Sequence, residues 1–157
     1  MITNVLAEQY GRTGSDSEQE TLIVALGQEH GFHTLLRVVI DELGYQCYAD
    51  EIHAGTVQQI GRLHPAAIVL DVDVGRERLS WAVIQALREF PATADVPIIA
   101  CAAASWLLDE HRTFLDHNDV HTWSEPFDIA QLFRALDAAL KAPCSDKLQA
   151  AWWSRDR

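Results

Sequence analysis

The stretch His64 to Val74, HPAAIVLDVDV, decides the fold. Ala66, Ala67, Ile68, Val69 and Leu70 are apolar in succession, as a strand covered on both faces must be, and the run closes on a carboxylate, Asp71. Such a strand needs partners on both edges and helices on both sides, and the flanking sequence supplies them. Leu22 to Leu26 precedes it and Val96 to Cys101 follows it as further buried runs, with Tyr45 to Ala49 a weaker strand and Val120 to Trp123 a fifth. Between them the spacing turns helical. Phe32, Leu35, Leu36, Val39, Ile40 and Leu43 form one apolar stripe that Gly44 ends. Thr56 to Leu63 and Ser80 to Phe90 read as two more helices. Ser105 is expected to cap a fourth, with Leu107, Leu108, His111, Phe114 and Leu115 inward. Asp128 with Gln131 resembles a capping box opening a last helix, with Ile129, Leu132, Phe133, Leu136 and Leu140 inward. Strand and helix in strict alternation predict an α/β fold, a doubly wound five-stranded parallel sheet in a three-layer α/β/α sandwich.

Length and charge narrow the function. The 157 residues, 48% hydrophobic and 22% charged, suit one domain burying roughly 70% of its unfolded surface. Residues 1–20, with the turn-rich Gly11 to Ser17, read as a leader or linker, 21–141 as the domain and 142–157 as a tail too short for a DNA-binding output domain. A net charge of −11 has the wrong sign for gripping nucleic-acid phosphates or an anionic membrane. Neither a bilayer-length apolar run, which takes about 20 residues, nor a signal-peptide pattern occurs, so a soluble cytoplasmic protein is expected. Cys47, Cys101 and Cys144 are far apart, without a CxxC pair, and read as free thiols in a reducing compartment.

In an open parallel sheet, sites form outside the carboxyl ends of the strands, where the strand order reverses. Glu29 follows the first strand, Asp71 and Asp73 close the third, and Ala102 and Glu125 follow the fourth and fifth. Three carboxylates from two loops, Glu29, Asp71 and Asp73, have the oxygen chemistry to hold magnesium; the competing reading makes Asp71 a turn cap and leaves Asp73 in water.

From Thr21 to Leu140 the order of segments resembles the receiver domain of bacterial response regulators, which has a flavodoxin-like fold. HPAAIVLDVDV resembles its third strand and phosphoacceptor, which places Asp71 at the phosphorylated aspartate; REFPATADVPIIACAAAS is similar to the passage into the fourth strand; SEPFDIAQLFRAL is similar to the stretch opened by a Lys-Pro pair with a cis peptide. The resemblance implies two-component, phosphorelay signalling with a histidine kinase or a downstream effector as partner. It also implies a degenerate site. The acidic pair that holds magnesium in the family falls at Gly27 and Gln28, the hydroxyl residue at Ala102, the lysine at Glu125 and the switch aromatic at Thr122. Exchanging a lysine for Glu125 reverses a contact worth roughly 4 kcal/mol at about 4 Å and an effective dielectric of about 20. The main expectation is therefore a stand-alone pseudo-receiver, not an enzyme and without cofactor, acting through protein contacts. The alternative is an active phosphoacceptor with a rearranged magnesium site at Glu29, Asp71 and Asp73.

The seven histidines show no zinc spacing; His30 and His33 read as surface or core-edge residues, and Gly27 to Gly31 lacks both phosphate-loop patterns. Trp106 and Trp123 are expected on the face formed by the fourth helix, fifth strand and last helix, a surface for a homodimer or partner. Trp152 and Trp153 in the tail are read as docking either on this domain or on another protein.

Overall fold

The computed structural model describes residues 21–28, 30–124 and 129–141. Five strands, β1 (Leu22–Leu26), β2 (Gln46–Asp50), β3 (Ala67–Asp71), β4 (Ile98–Ala102) and β5 (Val120–Ser124), form one parallel sheet in the order β2-β1-β3-β4-β5. Six helices accompany them: α1 (His30–Glu42), α2 (Thr56–Leu63), α3 (Glu77–Glu89), α4 (Ser105–Glu110), α5 (Arg112–His117) and α6 (Ile129–Lys141). The chain runs from β1 outward to β2 and then crosses to β3 on the other side of β1, so the order reverses between β1 and β3.

Pleating divides the apolar residues into two cores. Val24, Leu26, Ile68, Leu70, Ile98, Ala100 and Val120 face one way and pack with Ile60 of α2, Ile84 and Leu87 of α3, Leu107 of α4 and Leu115 of α5. Ile23, Ala25, Ala67, Val69, Ile99 and Cys101 face the other way and meet Leu36 and Ile40 of α1 and Leu132 and Leu136 of α6. All five residues of β3 are buried. The run expected to be the central strand is indeed the middle of the sheet.

Several sequence expectations change. Ser105 is the first residue of α4 and not its cap; the cap position is Ala104, in extended backbone and with no side-chain hydrogen bond. The single fourth helix is two, broken at His111, whose φ of −108° and ψ of 22° depart from helical values. The His111 ring stacks on Trp81 at 4.4 Å, and its Nδ1 lies 3.0 Å from the Leu107 carbonyl, an acceptor to which it must donate. Phe114 closes on the same indole edge-on at 5.8 Å, so α3 grips the break through an aromatic cluster. Ile129, expected inward, is 41% exposed at the first turn of α6, and Leu35, expected on the inward stripe of α1, is 43% exposed. Helices α1 and α3 also begin earlier than the periodicity predicts, at His30 and Glu77.

At the amino ends of β4 and β5, Arg88 of α3 ties the loops together. Its Nε donates to the Asn118 carbonyl at 2.7 Å and its Nη1 to those of Val96 and Ala94 at 2.7 and 3.1 Å. Arg88→Met keeps the aliphatic stem and leaves these carbonyls without their charged donor. It is expected to lower unfolding stability by about 1–3 kcal/mol with an unchanged urea slope, measured by urea unfolding.

Candidate functional site

Strand parity sets the geometry of the carboxyl edge. In β3, Ala67 and Val69 face α1 and α6, and Asp71, the next residue of that parity, falls on the same side. Leu26 is in register with Leu70, which brings Gly27 beside Asp71; Asp71 is in register with Cys101, and Cys101 with Trp123. Gly27, Asp71, Cys101 and Trp123 thus form one row across the sheet, beneath α1 and α6.

Asp71 is 8% exposed, at the end of the apolar strand where a carboxylate is costly to bury without partners. Its approach to Gly27 is unusually tight. A Cβ on Gly27 would lie 2.9 Å from the Cβ of Asp71, 3.6 Å from Asp71 Oδ2 and 3.5 Å from Nε2 of His33. Glycine here is a packing requirement, and the volume that a side chain would have taken is bounded by the carboxylate and by an imidazole from α1. Backbone holds the arrangement from the far side, where the Gly27 N–H donates to the Asp50 carbonyl at 3.2 Å.

The remaining expected residues fall as follows. Gln28 is partly exposed beyond the end of β1, and Asp73 is partly buried in the loop after β3, its carbonyl accepting from the Arg76 N–H at 3.0 Å. Ala102 is fully buried and in register with Ser124, while Thr122, also buried, is in register with Ala100. Trp106 is 51% exposed on α4. Trp123 is not on that surface. Its position along β5 has the parity of the α1 and α6 core, so the indole is buried with Cys101, Leu132 and Leu136 and only 4% exposed. Glu29, Glu125 and the 125–126 peptide bond, as well as Trp152, Trp153 and the whole of 1–20 and 142–157, lie outside the described residues.

Two residues gain a place at this edge that the sequence alone does not give them. His33 reads as a surface or core-edge residue, because its approach to Asp71 depends on which face of the sheet α1 covers. Asp50 ends β2 one residue beyond the expected strand; its carboxylate accepts from the Glu51 N–H at 2.8 Å and pairs with His53 Nε2 at 3.2 Å and Tyr48 Oη at 3.4 Å. Asp50 is therefore committed to its own strand end.

Among the described residues, the donors beside Asp71 do not make up a magnesium site. That ion takes several oxygen ligands in octahedral geometry, whereas the space beside Asp71 is bounded by a glycine and an imidazole nitrogen. Among the described residues no three His, Cys, Asp or Glu side chains come together as a metal site. The other flank of Asp71 is no better. Full burial, followed by the Asp71 charge, pushes the Cys101 thiol well above its ordinary range. Burial also pushes the Cys47 thiol up to about 11, the nearby Arg37 opposing and Asp41 reinforcing the rise.

No family model matches the sequence, and no curated protein matches it. Solved structures do. The receiver domain of sensor histidine kinase PA1611 of Pseudomonas aeruginosa, described with magnesium in its active-site cleft, has a TM-score of 0.65 at 20% identity, over 78% of this chain and 99% of that one. A response regulator receiver protein of Sinorhizobium medicae scores 0.65 at 20% identity, covering 80% and 98%. The chemotaxis protein CheY4 of Vibrio cholerae scores 0.64 at 15% identity, covering 77% and 99%. The chain has the flavodoxin-like receiver fold. Among its described residues no helix is long and apolar enough to cross a membrane.

Two predictions follow from the packing. Gly27→Asp, which restores a carboxylate to the family's acidic position, is expected to cost about 1–3 kcal/mol in urea unfolding and to give no saturable magnesium heat by calorimetry, since its Cβ meets the Asp71 side chain. With a thiol at about 11, only about one Cys47 in a thousand is thiolate at pH 8. Residue-resolved alkylation of the native protein is expected to leave Cys47 slow at pH 8 and faster toward pH 11, and Cys101 unmodified throughout.

Proposed function

We propose that this chain is a receiver-fold signalling module that works through protein contacts, with aspartyl phosphorylation at Asp71 impaired or absent. The observation that carries this reading is the contact of Gly27 with Asp71, since the position that holds magnesium in the resembling family has no room for a carboxylate. Phosphorylating an aspartate adds negative charge beside a carboxylate, and the transition state needs a metal or cation to offset it. Ala102, fully buried and without a hydroxyl, supports the same conclusion for signal transmission, because nothing at that position can donate to a phosphoryl oxygen. The module is not an enzyme and carries no cofactor of its own.

The partner is a protein of a two-component pathway, a histidine kinase or a downstream effector, and the contact surface includes Trp106, the large exposed aromatic of α4. The same surface, with β5 and α6, serves a homodimer in the variant of this reading that needs no second protein. A net charge of −11 sets both nucleic acid and anionic membrane aside as direct partners.

Incubation with a small acyl phosphate and magnesium, followed by intact-mass measurement, is expected to add no phosphate to the wild-type protein or to Asp71→Asn. Stoichiometric labelling of the wild type that disappears in Asp71→Asn would establish instead an active phosphoacceptor with a rearranged magnesium site.

A further inference from the structure

We infer that His33 is the built-in charge partner of Asp71, an imidazole from α1 supplying from within the domain the countercharge that a bound metal would otherwise bring. This deepens the reading of the Asp71 site as one that works without phosphorylation.

Three independent features converge on the pair. Asp71 has the strand parity that turns it toward α1 and not toward α2 and α3. His33 lies in the first turns of α1, over that same edge of the sheet. Its Nε2 and the Asp71 Oδ2 both come within 3.6 Å of one point, the place where a Gly27 side chain would begin. The glycine is what lets the two groups share that space. His33 Nε2 is shielded from solvent and Asp71 is 8% exposed, so water is a poor substitute for a protein partner on either side. Both residues take part in a polar, ring or electrostatic interaction.

Among the described residues, the other groups around the carboxylate do not take this role. In β4, Cys101 is a neutral thiol, its pKa pushed up by burial and by Asp71 itself. In β5, the register neighbour is the indole of Trp123. In β2, Asp50 is an acid bound to Tyr48 and His53. After β3 the side chains of Arg76, at the cap of α3, and Arg78, in its first turn, are exposed, and Arg37, further along α1, is exposed beside Cys47. A buried carboxylate and an imidazole whose Nε2 is shielded from solvent, on facing elements, then stabilise each other in a way neither does alone, and loss of either partner strands the other.

A double-mutant cycle by urea unfolding tests the pairing, with His33→Ala, Asp71→Asn and the double variant, and with His33→Gln to separate hydrogen bonding from volume. Each single change is expected to lower the midpoint, the double variant to fall no lower than the worse single, and His33→Gln to retain part of the loss. Imidazole nitrogen NMR gives a second reading that needs only Asp71→Asn to fold: the His33 resonances are expected to move while those of the exposed His53 stay in place. Additive midpoint losses, or His33 resonances indifferent to Asp71→Asn, would overturn the pairing. Phosphate labelling of wild-type Asp71 together with a non-additive cycle would instead sink the proposed function and leave the pairing intact.

Discussion

The organisation of the carboxyl edge depends on one close approach, the Gly27 backbone against the Asp71 side chain, with only 2.9 Å between the aspartate Cβ and the nearest place a second Cβ could stand. Because β1 and β3 are hydrogen-bonded neighbours with buried residues on both sides, neither strand can retreat without disturbing a packed core. The edge therefore lacks a carboxylate pair for a steric reason as well as a chemical one. The free volume goes to α1, which can bring His33 over the strand end, and the pocket of the receiver fold becomes a place where groups of the domain meet each other.

Much of this was legible in the sequence because it rests on strong local signals. An unbroken apolar run can hardly be anything but a central strand, so β3 and its terminal Asp71 were read directly from HPAAIVLDVDV. The helical stripes of α1 and α6 likewise mark most of their inner faces, Leu35 and Ile129 being the exposed exceptions. The sequence was silent where the answer depends on which way a strand faces. Trp123 looks like a surface aromatic until the parity of β5 is known, and that parity turns it into the core beneath α6. His33 looks peripheral until α1 is placed on Asp71's side of the sheet. The break at His111 had no local signal either, since no proline or glycine marks it; an aromatic partner on another helix decides it.

The two ends of the sheet are built differently. At the amino ends of β4 and β5 a single guanidinium collects carbonyls from two loops, a directional and rigid arrangement. At the carboxyl ends the α3 to α5 layer meets through the stacked rings of Trp81, His111 and Phe114, contacts that tolerate small rotations better than a charged fork does. Trp106 is exposed on the short helix just before that cluster. A partner that grips Trp106 therefore pulls on the part of the domain whose internal contacts are the most forgiving.

The register row of Gly27, Asp71, Cys101 and Trp123 also bears on how such a sequence can change over time. A mutation that puts an acidic side chain at Gly27 collides with Asp71 before it can confer any advantage, and relieving the collision calls for concerted change in β1, in α1 at His33 and in the layer above. A substitution at Gly27 alone is thus resisted by the packed strands on either side of it. The tight row acts as a brake on change at the edge, while selection stays free to act on the outer surface.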